Sequence, residues 1–301
     1  MRGYWGGLAL AAVVVVGIAH AESAQMRGKF PAGVREAGRL EFVAVDRFDG
    51  RDGRQVETLL EQAIGVPGGQ PDGVLTGGVT TGVEENPYKG SVERCVEWKD
   101  GDRSKECTKR AQVPVPCTRR VVVVTVSVRL IRTDTRLSVY SDNKSGRSET
   151  SWCEGGSPSI AVEQMVSAQI RDIASRIRAD VRPSVQNYSV RFREDRDGMP
   201  KDLGNQFKAI VKLSKSDARG ACQQWAALDG QMPNNASVLY NLAVCAEAAG
   251  AYPDALTRYR AAHEANPRKK DDVSDSIDRV DRLMLARADD EEIARRRSGR
   301  R

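Results

Sequence analysis

Apolar and polar positions alternate with a period near two through much of the first 150 residues, whereas from residue 159 onward apolar residues recur mainly every three or four positions. Strands should therefore come first and helices after. Residues 40 to 48, LEFVAVDRF, alternate as a strand, and Val56, Leu59, Leu60, Ala63 and Ile64 then fall on one helical face over residues 55 to 64. Residues 74 to 80 read as a short strand whose paired glycines, Gly77 and Gly78, mark a bulge or a close backbone approach. A polar hairpin follows, with arms at 95–98 and 105–111. Residues 119 to 131, RRVVVVTVSVRLI, give the strongest strand signal, β-branched throughout and apolar on both faces near the start. That predicts a central strand, paired with residues 136 to 141 and onward to Trp152. An amphipathic helix is expected over 159–179, with Ile170, Ile173 and Ile177 inward and Arg171, Arg176 and Arg178 outward. Residues 185 to 192 alternate once more as a last strand, and the polar run 195–200 marks a boundary between domains.

Beyond that boundary the pattern is wholly helical. Residues 236 to 267 place Leu239, Leu242, Ala243 and Ala246 on one stripe, break at Gly250, place Tyr252, Ala255, Tyr259 and Ala262 on a second stripe, and stop at Pro267. This helix-turn-helix resembles the tetratricopeptide repeat, whose period is 34 residues. One period earlier, Ala221, Trp225 and Pro233 stand where Ala255, Tyr259 and Pro267 stand later. The first helix of that earlier copy should lie near 202–213, with Phe207, Ile210, Val211 and Leu213 apolar but no signature residues. A capping helix is expected over 273–288. The resemblance implies partner binding in the groove lined by the first helices, with Tyr240, Asn241 and Glu247 as exposed candidates.

The N-terminal 21 residues combine Arg2, an apolar run from 8 to 18 and the small-x-small triplet Ala19-His20-Ala21. That is the pattern of a secretory signal peptide, whose apolar run is too short for the ~20 residues of a membrane span. No cysteine stands near the cleavage point, so a lipoprotein is not expected. Export makes the six cysteines candidates for disulfides. Each pair equidistant from a predicted turn should join: Cys95 with Cys107, Cys117 with Cys153, and Cys222 with Cys245. A zinc cluster would need closer spacing and histidines.

The first domain adds a second resemblance. Strand 43–50 with its Phe-Asp-Gly, the short strand 74–80 with Thr-Gly-Gly-Val-Thr, and the valine-rich strand 121–135 with Arg-Leu-Ile-Arg-Thr-Asp-Thr follow the order of an α+β domain. It is similar to the domain of the curli-secretion lipoproteins (CsgG-like) and of the lipoprotein activators of penicillin-binding proteins (LpoB-like). The resemblance spans roughly 38–180 and implies a non-catalytic envelope protein. The lipidated cysteine of those families is missing here. The hairpin near 95–107 is charged, unlike a barrel hairpin that faces lipid.

Composition sharpens this picture in two places. Only His263 remains after cleavage, with no second histidine to complete a triad or a metal site. No catalytic residue, metal ligand or cofactor site is therefore assigned. The carboxylate groups Glu84-Glu85, Asp271-Asp272 and Asp289 to Glu292 read as solvated faces and helix starts. The formal charge of +6 is spread out except at Arg295, Arg296, Arg297, Arg300 and Arg301. Such a tail is expected to be disordered and to attract anionic envelope polymers or lipid head groups, not nucleic acid.

The resulting expectation is an α+β protein: a mixed or antiparallel sheet with two helices, followed by an all-α repeat-like module. Its parts are a signal peptide (1–21), a flexible segment (22–37), a sheet domain (38–195), a helical domain with a capping helix (200–290) and a basic tail (291–301). The expected role is a periplasmic, non-enzymatic scaffold for an envelope protein partner. The competing expectation is an envelope hydrolase or ligand-binding receptor with its site in the sheet domain.

Overall fold

The computed structural model describes residues 22–65, 68–101, 103, 106–267 and 271–299. The expected signal peptide lies outside them. The chain is α+β. It divides into two compact units, 22–28 with 187–281 and 29–186 with 282–299.

The second of these units is built on a four-stranded sheet in the order β2-β3-β4-β5. Strand β2 (Val43–Asp49) runs parallel to β3 (Gly73–Trp98), and the intervening helix α2 (Gly53–Ile64) supplies the crossover that a parallel pair requires. Strands β4 (Cys107–Arg132) and β5 (Ser138–Cys153) continue antiparallel. On β4 the alternation is clean: Val122, Val124, Val126, Val128 and Leu130 are buried, while Ser127 and Arg129 are exposed. They pack with Val56 and Leu60 of α2 and with Ile170, Ile173 and Ile177 of α3 (Val162–Val181) in one core. The predicted central strand is thus central in order, but along most of its length only one face is deeply buried.

Of the paired glycines, Gly77 is the one the ladder needs. A Cβ there would sit 2.0 Å from the Ser127 carbonyl oxygen and 2.8 Å from the Phe48 ring, so β3 can lie in the ladder only with a bare Cα. The bulge itself falls on β2, between Val45 and Phe48.

The short strand and the separate hairpin of the sequence reading are one element. β3 and β4 are 26 residues each and form a continuous ladder from Gly73 opposite Arg132 to Trp98 opposite Cys107. β5 begins to pair with β4 at Cys117, and β2 leaves β3 at Gly78. Residues 89–98 and 107–116 therefore pair, among the described residues, only with each other, making a ribbon ~30 Å long. All three expected disulfides are present: Cys95–Cys107 near the ribbon tip, Cys117–Cys153 at its base, and Cys222–Cys245 in the helical unit. The tip pair is not level, however. Cys95 stands opposite Arg110 because irregularities on either side of Glu97 shift the register.

The segment 22–37 is ordered, not flexible. It holds β1 (Ser23–Phe30), paired with β6 (Ser184–Arg191), and α1 (Arg35–Gly38), because Ala24, Phe30, Ala32 and Ala37 are all buried. The last predicted strand accordingly pairs with β1 and not with the main sheet.

Besides most of β1 and β6, the helical unit holds α4 (Lys201–Leu213), α5 (Ala218–Gln231), α6 (Ala236–Ala248), α7 (Tyr252–Ala265) and the part of α8 (Asp271–Gly299) up to Asp281. Asp217 caps α5 through the Gly220 N–H, and Asn235 caps α6 through the N–H groups of Ser237 and Val238. Residues one 34-residue step apart are buried alike: Ala221 with Ala255, Trp225 with Tyr259, and Leu228 with Ala262. The capping helix is longer than expected, and from Arg282 onward it belongs to the sheet unit. There Asp289 accepts bonds from Arg35 and Arg39, which with burial of Leu283 and Ala286 keeps the helix going. The basic tail is correspondingly helical through Gly299, with Arg295 and Arg296 paired to Glu292 and Arg297 to Glu41. Arg300 and Arg301 lie outside the described residues.

Candidate functional site

Helix α6 was expected to bury one stripe and to expose Tyr240, Asn241 and Glu247. All three are buried, at 4%, 0% and 2% exposure. The reason lies in the rest of ASVLYNLAVCAEA, where Val238 and Val244 add a second apolar face, and a helix that is apolar all round is enclosed all round. A carboxylate on such a helix must find partners, since an unpaired buried charge costs several kcal/mol.

Glu247 finds four donors. It accepts from the Tyr188 hydroxyl at 3.0 Å, the Tyr259 hydroxyl at 2.8 Å, and Nε and Nη2 of Arg279 at 2.7 and 2.9 Å. Burial, reinforced by the carboxylate, pushes both phenols above their ordinary range. Burial alone would lower Arg279, but the bonds and charge of Glu247 outweigh it and raise the guanidinium. This carboxylate is a structural node joining β6, α6, α7 and α8. With four donors on two oxygens, it is poorly placed to take a proton from a substrate.

Asn241 holds backbone instead of charge. Its Oδ1 accepts the Arg193 N–H at 2.7 Å and its Nδ2 donates to the Arg193 carbonyl at 3.0 Å. The Arg193 guanidinium lies 4.4 Å from the Tyr240 ring centre. The Tyr240 ring meets Tyr259 edge-on at 5.2 Å, and its hydroxyl lies 3.4 Å from that of Ser276. Next along the chain, the Phe192 ring packs against Trp225, tilted, with ring centres 4.6 Å apart. The inner faces of α5, α6 and α7 thus close on an extended segment of the same chain. Tyr188, Phe192, Arg193, Trp225 and Arg279 were not singled out as site residues. The signal was present in the alternation that puts Tyr188, Val190 and Phe192 on one side of β6.

His263 is half-buried on α7. Among the described residues no group of three or more histidines, cysteines or carboxylates is arranged to hold a metal. No described helix is long and apolar enough to cross a membrane.

The sheet unit offers two surfaces. One is the ribbon, whose faces differ. Tyr88, Gly90 and Val92 lie opposite Cys117, Val115 and Val113 on a partly covered apolar face, while Lys89, Ser91 and Glu93 lie opposite Pro116, Pro114 and Gln112 on an exposed one. Gly90 is required there, because a Cβ would stand 2.5 Å from the Cys117 sulfur. The prolines also define the edges. Pro116 offers its carbonyl outward to the Glu154 N–H at 2.9 Å, so its ring nitrogen faces outward as well, and Pro114 and Pro87 share that orientation by register. The second surface is a cleft of about 600 Å³ lined by Arg39, Glu41, Asp72, Arg132, Asp134, Arg296 and Arg297, among others. Arg132 grips Asp134 there through two bonds of 2.9 and 2.6 Å and holds it far below the usual carboxylate range.

No family model matches the sequence, and no curated protein matches it. Among solved structures, a putative lipoprotein from Caulobacter crescentus CB15 aligns with 46% of this chain and 86% of its own at 12% identity, with a TM-score of 0.27. A PDZ domain protein from Parabacteroides distasonis aligns over 65% of this chain and 55% of its own at 11% identity, with a TM-score of 0.22. Overlaps this loose carry no conclusion about fold or activity.

Proposed function

We propose that the chain is an exported, non-enzymatic protein of the cell envelope that works as a protein-interaction scaffold. On this reading the helical unit is a tetratricopeptide-type module and the sheet unit a domain of the CsgG/LpoB-like kind. Three disulfides favour export to an oxidising compartment. The 34-residue correspondence of buried positions favours the repeat.

The observation that carries the reading is the ribbon. An isolated two-stranded hairpin is marginal in water, yet this one is fastened near its tip and at its base by disulfides and contributes little to the core. A rigid element of that kind serves contact with another molecule. The groove of the helical unit, already filled by residues 188–193, is not open in the same way. The reading is tested by placing a photo-crosslinking residue at Val92 or Val113 in cells that export the chain, with the exposed Leu137 as control. Discrete protein adducts from the ribbon positions are expected, and adducts no different from those at Leu137 would refute it.

The arginine tail draws anionic polymers or lipid head groups only with charge not already matched by Glu292 and Glu41. The cleft favours a second reading, a receptor for a small acidic solute. Titration calorimetry with inorganic phosphate, lost in Arg132→Ala, is the result that would support it.

A further inference from the structure

The two margins of the ribbon differ. Pro116 turns its carbonyl outward to the Glu154 N–H, so Lys89, which stands opposite it, turns its own N–H and carbonyl outward from β3. By register Ser91 and Glu93, opposite Pro114 and Gln112, do the same. On β4 the outward positions 114 and 116 are prolines without a donor, whereas Lys89, Ser91 and Glu93 on β3 each keep one. Among the described residues no strand pairs with the β3 margin beyond Gly78, and Lys89, Ser91 and Glu93 are exposed. An open margin of this kind is a template for another strand.

The length of the template limits what fits it. Pro87 ends it on one side, and the register irregularities beyond Cys95 end it on the other. Ser91 is the midpoint of what remains. A second copy of the same stretch, antiparallel and related by a twofold axis at Ser91, brings Lys89 opposite Glu93, Ser91 opposite itself and Glu93 opposite Lys89. Each of these pairs exchanges both backbone bonds, so the outward donors and acceptors of all these residues are used. Opposite charges then face each other across the seam, and on the other face Val92 stands beside the bare Cα of Gly90. Sliding one copy by two residues puts Glu93 opposite Pro87, or Lys89 opposite Cys95, and loses the match. Charges on an edge discourage pairing in general; here they admit one register.

We propose that the chain forms a symmetric dimer through the β3 margin of its ribbon, two copies joining residues 89–93 into one continuous sheet. The inference rests on the reading of the ribbon as a contact element and names the partner of one margin, a second copy of this chain. A twofold contact of this kind uses the same patch on both copies and closes on itself.

The full mature chain, with its disulfides intact, is followed by sedimentation equilibrium from micromolar to millimolar concentration. The wild type should dimerise. In Ser91→Pro the lost N–H points away from β4 and leaves the ribbon's own ladder whole, yet the dimer dissociation constant should rise about tenfold or more. Lys89→Glu should raise it about fivefold, since both symmetry-related pairs become like charges, and adding Glu93→Lys should restore it. Oxidative cross-linking of Ser91→Cys should outrun that of Val83→Cys, because the twofold brings the Cα atoms of residue 91 to about 5.5 Å and leaves those of residue 83 far apart. A monomer at every concentration, a charge swap that restores nothing, or cross-linking at Val83 as fast as at Ser91 would overturn the proposal. A monomer that still gives protein adducts at Val92 or Val113 would overturn the dimer and leave the scaffold reading standing. A dimer with no adducts there beyond its own copy would overturn the scaffold reading alone.

Discussion

Replacing Glu247 by alanine removes the acceptor on which Tyr188, Tyr259 and Arg279 converge. Breaking a buried ion pair by deleting one partner costs about 3–5 kcal/mol, because the other charge is left in place. Two orphaned phenols would each add ~1 kcal/mol if independent, but all the bonds share one carboxylate and do not sum. The Arg279 side chain keeps 20% of its exposure and regains some water, which moves the expected loss to ~3–4 kcal/mol. With a urea dependence of ~1–3 kcal/mol per molar, the midpoint of the helical unit's transition should fall by at least ~1 M. Circular dichroism of the oxidised chain through a urea titration measures this. The double variant Glu247→Leu with Arg279→Leu should cost less than Glu247→Ala alone, since it leaves neither charge buried without its partner. A loss below ~1 kcal/mol for the single variant, or simple addition of the two single costs, would refute the node.

Further outcomes follow from other contacts. Tyr188 and Tyr259, with Tyr140 beside Asp180, are raised by burial and a neighbouring carboxylate, so each contributes stability that is complete below pH 10. That stability declines above pH 10, as the unfolded phenols begin to ionise, and an ultraviolet pH titration should show these three ionising late. Asp289 is opposed by burial, but the bonds from Arg35 and Arg39 prevail and lower it below the ordinary aspartate value. Its contribution is present above that value and lost as pH falls through the folded one, so the melting-temperature gap between wild type and Asp289→Asn should close in acid. Removing the Cys222–Cys245 bridge, which spans 23 residues, should cost ~3 kcal/mol, seen as a lower thermal midpoint of Cys222→Ser with Cys245→Ser. Gly77→Ala drives a Cβ against the Ser127 carbonyl oxygen and should destabilise the sheet unit by ~2 kcal/mol or more in the same assay.

The elements were legible because each carries its period in full: the valine run of β4, the isoleucines of α3 and the paired stripes of α6 and α7. Disulfide partners were legible for a related reason, since nearness to a shared turn limits which residues can meet, even where, as at Cys95, an irregular register puts the pair out of level. What escaped was length and enclosure. Strands β3 and β4 looked like separate pieces because Pro87, Pro114 and Pro116 interrupt strand propensity, yet prolines facing outward remove no ladder bond. The burial of Tyr240, Asn241 and Glu247 escaped because the stripe rule assumes one wet face. Nothing in α6 itself says that β6, the segment after it and α8 arrive on the other.

The outward prolines of the ribbon have a consequence for how it can be used. Without donors at 114 and 116 one margin of the ribbon offers an incomplete template for another strand, so association by backbone, the indiscriminate kind, is discouraged on that side, while Pro87 removes a donor from the other margin only at the ribbon's base. What the ribbon presents to a neighbour on the proline side is mainly its side chains. If the ribbon docks a partner as proposed, the choice of that partner would be written in a few residues such as Lys89, Glu93 and Val113, where a single codon change would redirect it while the sheet behind stays as it was.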